Sequence, residues 1–200
     1  MLAIYLSHPQ VTLRPDLPVP EWSLSHTGRA RAMGLGQQDW VRDLTRIVSS
    51  DEVKAMETAG CIAPAAGLPV EIGRDMHEND RSATGFLPPE AFEAAADAFF
   101  ASPAISFRGW ETAIAAQRRI VDAVTGTLQG QAGPILFVGH GAVGTLLRQA
   151  LQDTPISRSG DQPAGGGNLY AFRLSDRRVL CDWTPAERWP ARMAEIAAIA

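Results

Sequence analysis

Ile135-Leu136-Phe137-Val138-Gly139-His140-Gly141-Ala142-Val143-Gly144 reads as an apolar strand, a glycine-flanked turn that carries a histidine, and the opening of a helix. Outward from it the same alternation recurs. Leu2 to Leu6, Thr45 to Ser49, Pro69 to Ile72, Leu169 to Leu174 and Val179 to Trp183 are further short β-rich runs bounded by Gly, Pro, Ser or Asp. With Ile135 to Val138 they predict six strands. Helical stretches separate them, so the expected class is α/β: three layers, a six-stranded mixed but mostly parallel sheet with helices on both faces.

The helices are readable from caps and periodicity. Ser25 or Thr27 can cap one that runs to about Trp40, and Ser50 or Asp51 one through Ala66 that Gly67 and Pro69 end. From Trp110 to Leu128, Ile114, Ile120, Val121, Val124 and Leu128 suit one apolar face, predicting the longest helix. Pro88 to Phe100 and Pro185 to Ile199 are alanine-rich, with proline at a tolerated first-turn position. Pro9 to Leu24 and Gly73 to Leu87 lack periodicity and are expected as surface loops able to hold binding groups; the second carries Asp75, His77, Glu78, Asp80 and Arg81. No repeat or linker divides the chain, so residues 1–200 are expected as a single domain.

Composition narrows the function classes. The 200 residues are 46% hydrophobic and 20% charged, the balance of an ordinary globular protein, and the net charge of -4 argues against a nucleic-acid binder with a general basic field. No apolar run is long enough to span a bilayer, and Met1 leads straight into a strand-like run with no basic leader, so a cytoplasmic location is expected. Cys61 and Cys181 form no metal or disulfide pattern, and no histidine pair has i, i+4 spacing. Among the 18 cations Lys54 is the sole lysine, and there are 4 histidines.

Two of those histidines, His8 and His140, stand directly after predicted strands, where an open α/β sheet gathers its ligand crevice. Ser7-His8-Pro9-Gln10, Leu24-Ser25 with Gly28, Val48-Ser49-Ser50 with Lys54 and Glu57-Thr58-Ala59, Glu78, and Val138-Gly139-His140-Gly141 together resemble the histidine phosphatase superfamily, also called phosphoglycerate mutase-like. The resemblance covers nearly the whole chain. The family patterns are Arg-His-Gly followed by Glu or Gln, then Ser-Ser-x-x-x-Arg-x-x-x-Thr-Ala, a Leu-x-Glu matched by Met76-His77-Glu78, and His-Gly. Three positions depart from it: Ser7 stands for the arginine before the nucleophile, Pro9 for the glycine after it, and Lys54 for the middle arginine.

The resemblance implies a phosphomonoester hydrolase that needs no cofactor and no metal. His8 would be the nucleophile, Glu78 the general acid, with Asp75 and Asp80 as rivals, and His140 would bind the transferring group. Lys54, Ser7, Gln10 and Gly141 would hold the phosphate, and Arg14 is expected to restore the missing cation. A lysine in place of the arginine loses the bidentate grip of a guanidinium. The substrate would be a small-molecule phosphomonoester or a phosphoprotein, with no nucleic-acid or membrane partner, and the chain is compatible with a homodimer. Hydrolysis is preferred to mutase chemistry because the short loops leave little room for a water-excluding lid. Two other readings compete. One is a phospho-ligand or protein binding module with a weakened pocket. The other is a dinucleotide site, since residues 139–144 fit G-x-G-x-x-G; its acid about 20 residues on would be Asp161, which precedes a loop rather than ending a strand.

Overall fold

Side chains alternate between the two faces of a strand, and in β1 (Leu2–Ser7) every residue is buried, so both faces must be covered. The computed structural model describes residues 1–198 and shows how. Ala3 and Tyr5 pack with Phe137, Tyr170 and Phe172 in one core; Leu2, Ile4 and Leu6 pack with Leu136, Val138, Leu169 and Ala171 in the other. The partners come from β4 (Ile135–Gly139), parallel to β1, and β5 (Asn168–Arg173), antiparallel to it. With β2 (Arg46–Ser49), β3 (Val70–Ile72) and β6 (Thr184–Pro185) the sheet order is β3-β2-β4-β1-β5-β6. β3, β2, β4 and β1 run parallel, β5 is antiparallel to β1 and β6 antiparallel to β5, the mixed, mostly parallel sheet expected.

Helices cover both faces. α1 (His26–Gly36) is capped by Ser25, whose hydroxyl accepts from Gly28 N at 3.0 Å, and lies with α2 (Val53–Ala66) over the Ile4 side through Leu35, Ala59 and Ile62. α3 (Pro89–Ala101), α4 (Ala113–Thr127) and α5 (Gly141–Leu151) cover the Tyr5 side through Phe99, Ile120, Val124 and Leu146. α4, at 15 residues, is the longest.

Four expected boundaries shift. α1 stops at Gly36 and a 3-10 turn over Asp39–Asp43 carries Trp40 into the core. α2 starts after Glu52, without a side-chain cap from Ser50 or Asp51. No strand spans Val179 to Trp183; Val179 makes one bridge to Phe172. The ladder resumes only at β6, because Trp183 turns inward, its ring 4.7 Å edge-on from Tyr170 and its indole N–H donating to Thr145. The single helix expected from Pro185 is instead a 3-10 turn at Ala186–Arg188 and a short α6 (Met193–Ala197), since Pro190 interrupts the segment; Ile199 lies outside the described residues.

Candidate active site

The register of the sheet brings the two histidines together. β1 and β4 are neighbours in which Ser7 pairs with Gly139, so the residues that follow, His8 and His140, leave the sheet side by side at its carboxyl edge. Their ring centroids are 5.3 Å apart at 70°. On the other side of β4, Ser49 pairs with Val138, and the chain continuing into α2 adds Ser50, Glu52 and Lys54. Tyr5 clamps the second histidine from below: its hydroxyl accepts from His140 N at 3.2 Å and faces His140 O at 3.3 Å.

His8 Nδ1 lies 2.8 Å from Pro9 O, and since a carbonyl only accepts, the ring proton is on Nδ1 and Nε2 keeps a free lone pair. Burial pushes the imidazole down to about 4, the Pro9 carbonyl only partly opposing it and Lys54 adding to it, so the ring is neutral near pH 7. His140 is fully buried, and burial holds it well below its ordinary value although the nearby Glu52 carboxylate opposes this. Its Nε2 is 2.8 Å from Ser50 Oγ; its Nδ1 is buried and without a partner among the described residues.

Sequence reasoning missed Glu52. Its carboxylate is buried, paired with Lys54 Nζ, accepts from Glu78 N at 2.8 Å and lies 3.5 Å from His140 Nε2. Burial alone would raise it; His140, Lys54 and the Glu78 backbone N–H together hold it at about 2. Lys54, itself buried, also donates to Val19 O at 2.9 Å. The sequence reading starts α2 one or two residues earlier, which makes Glu52 a first-turn residue and hides its role.

Glu78 joins the cluster from the loop as expected. Oε1 accepts from Asn79 N at 3.1 Å and Val143 N at 3.0 Å, and Oε2 from Ala142 N at 3.2 Å, so the carboxyl sits on the N-terminal amides of α5. Burial nevertheless leaves it raised above the ordinary glutamate value, against the pull of Arg81. Of its rivals, Asp80, exposed and accepting from Ser82 N at 2.9 Å, lines the rim of the cavity that Glu78 and Glu52 also line, whereas Asp75 is exposed and lies away from that cavity.

Two expected phosphate ligands are not brought in. Arg14 does not supply the missing cation: its guanidinium is held bidentately by Asp16 at 3.0 and 2.7 Å on an exposed loop. The cation facing the cluster is Arg81, whose charge is felt by His8, Lys54, Glu78 and His140 alike and whose guanidinium lies 4.9 Å over the Phe92 ring. Gln10 is taken by Arg31, which donates to its Oε1 at 3.0 Å. Ser7 is buried at the cluster with its hydroxyl turned to Gln162 rather than outward. Gly141 sits at the first turn of α5, under the Gln162 side chain.

Cavities of about 740 and 270 Å3 open at the cluster and share Glu78, Asn79 and Arg81; neither has His8 in its wall. The glycines of the G-x-G-x-x-G run are explained by packing: a Cβ on Gly139 would stand 2.4 Å from Tyr5 Oη, and one on Gly144 2.5 Å from the Tyr5 ring. The glycine loop at Gly165 to Gly167 has φ of 91°, 62° and 64° and folds over the end of β1, where Gly167 N donates to His8 O at 3.0 Å.

A family model described as the histidine phosphatase superfamily (branch 1) matches residues 14–183, starting beyond the Ser7-His8-Pro9 segment. No curated protein matches the chain significantly. Among solved structures, a mycobacterial glucosyl-3-phosphoglycerate phosphatase in complex with inorganic phosphate superposes with a TM-score of 0.77 at 20% identity, over 94% of this chain and 99% of that one. YhfR of Bacillus stearothermophilus gives 0.76 at 21% identity, over 89% and 93%. At such identities the likeness is one of fold.

Proposed function

The chain belongs to the histidine phosphatase superfamily, and from that premise we propose that it hydrolyses phosphomonoesters through a phosphohistidine on His8. The observation that carries this is the state of His8: neutral, its Nδ1–H spent on Pro9 O, its Nε2 free, and a second imidazole 5.3 Å away. In the first step Nε2 attacks phosphorus in line while the ester oxygen departs and takes a proton from Glu78, whose pKa burial shifts upward, the direction a general acid needs. In the second, the Glu78 carboxylate takes a proton from a water molecule whose oxygen attacks the phosphohistidine, releasing phosphate and the neutral His8.

His140 fits the role of an oxygen donor. Ser50 Oγ accepts from Glu52 N at 3.3 Å, so its own hydrogen can go to His140 Nε2, which leaves the ring proton on the unpartnered Nδ1. Lys54 and Arg81 supply the remaining positive potential, the Ala142 and Val143 amides of α5 being taken by Glu78. The substrate class is a small-molecule phosphomonoester or a phosphoprotein, in a cytoplasmic protein. The second reading is a binding module with a weakened pocket, and the buried Glu52–Lys54 pair is the observation that shows the weakening, since it cancels part of the positive charge available for transition-state stabilisation.

Turnover separates the two. Wild type is expected to hydrolyse p-nitrophenyl phosphate and an alkyl phosphate, and His8→Ala to lose roughly a thousandfold or more on both. Glu78→Gln should lose roughly a hundredfold or more on the alkyl ester and far less on the aryl ester, whose leaving group needs no proton. Phosphate binding without turnover selects the module, and turnover that survives His8→Ala rejects the mechanism.

A further inference from the structure

The residue at position 7 is too short to reach a substrate, yet it is tied into a hydrogen-bond chain that ends on an amide with free donors. Pro163 O can only accept, so the Asn168 side-chain atom 2.9 Å from it is Nδ2. That same Nδ2 lies 3.0 Å from Gln162, which must present its oxygen there. Ser7 Oγ donates to this Gln162 Oε1 at 2.5 Å and is itself oriented by Asn168 N, which donates to it at 3.1 Å. With its oxygen held from two sides, the Gln162 carboxamide has its NH2 end fixed as well.

That end points into the site. A Cβ on Gly141 would come within 2.1 Å of Gln162 Nε2, which places the nitrogen over the first turn of α5 beside His140. Gln162 lines the 270 Å3 cavity together with Glu78, Asn79, Arg81 and Gly141, and its Nε2 hydrogens have no acceptor among the described residues. The absence of a side chain at Gly141 is what lets the amide lie there.

We propose that the Gln162 carboxamide stands in for the guanidinium that Ser7 cannot provide, donating from Nε2 to an oxygen of the phosphoryl group, with Ser7 as a positioning residue that acts only through Gln162. The proposal rests on the phosphatase reading above. It exchanges a charge for a dipole: phosphoryl oxygens are oriented by a neutral donor whose direction is set by Ser7 and Asn168, while net positive potential comes from elsewhere in the pocket.

The test titrates inorganic phosphate calorimetrically into wild type, Gln162→Ala, Gln162→Glu, Ser7→Ala and the Ser7→Ala/Gln162→Ala pair, alongside p-nitrophenyl phosphate turnover. Gln162→Glu keeps the oxygen that Ser7 and Asn168 bind and replaces the donor with a charged acceptor, so it separates a group that faces the phosphate from one that only holds the loop. Gln162→Ala is expected to weaken phosphate binding roughly tenfold and Gln162→Glu further, with melting temperatures near wild type. Ser7→Ala should weaken binding in the wild-type background and have no effect once Gln162 is alanine. Wild-type affinity in both Gln162 variants overturns the role of Gln162 and leaves the phosphatase reading standing. Wild type that neither binds phosphate nor turns over substrate overturns both.

Discussion

Glu52 sets the charge balance of the pocket at the level of single residues. A carboxylate held at about 2 by His140, Lys54 and the Glu78 backbone is charged at any working pH, so in the proposed function a phosphate would compete with it for Lys54. Removing one partner of a buried pair strands the other, at a cost of about 3 kcal/mol. Glu52→Gln should therefore lower the melting temperature without phosphate, bind phosphate at least several-fold more tightly, and recover stability as phosphate is added. A variant that binds phosphate more weakly would show that Glu52 supports the site rather than competing in it. His8, His140, Lys54 and Glu78 were legible because each stands at a motif position, the two histidines directly after a strand end. Arg81 was legible only as one charged residue of a binding loop and Gln162 not at all, because their partners come from remote segments: Arg81 faces a cluster built from β1, β2 and β4, and Gln162 is set by Ser7, more than 150 residues away in sequence. Arg14 misled because sequence proximity to His8 does not reveal that Asp16, two residues on, claims it.

Among the elements, the central strands were readable because burial on both faces leaves continuous apolar runs, and the long helices because their apolar stripes meet one core. The C-terminal segment was not. Its alanines favour a helix, but Pro190, whose breaking effect that expectation passed over, and the inward Trp183, which propensity does not show, decide where chain direction changes. Glycines divide in the same way between packing and backbone freedom. Gly144 of α5 is a contact point: a Cβ there would lie 2.5 Å from the Tyr5 ring and 2.9 Å from Trp183, two buried aromatics with little room to move. Gly144→Ala should destabilise by about 1–3 kcal/mol. Gly34, in exposed α1 with nothing within 4 Å of its would-be Cβ, should instead gain about 0.5–1 kcal/mol as alanine. Chemical denaturation of the two variants checks the contrast, and similar effects at both positions would contradict it.

For the molecule as a whole, the site couples stability to pH. His8, lowered from 6.5 to about 4, binds its proton more readily when unfolded, so its contribution is complete above about pH 6.5 and is lost as pH falls toward 4. The shift corresponds to about 3 kcal/mol. His140 acts in the same direction, whereas Glu78 and Asp161, both raised by burial, gain relative stability as pH falls through their folded values. The difference between wild type and His8→Gln isolates the first of these: wild type should lose stability relative to the variant as pH drops from 6.5 to 4, and parallel curves would show that His8 is not held neutral by burial. The proposed nucleophilic role of His8 depends on that neutrality, and the covalent intermediate tests it most directly. Intact-protein mass spectrometry after rapid acid-free quenching with p-nitrophenyl phosphate should show one phosphoryl group, acid-labile, mapping to His8 and absent from His8→Ala. A protein that turns the substrate over with no such adduct, or carries it on another residue, would contradict a phosphohistidine mechanism at His8.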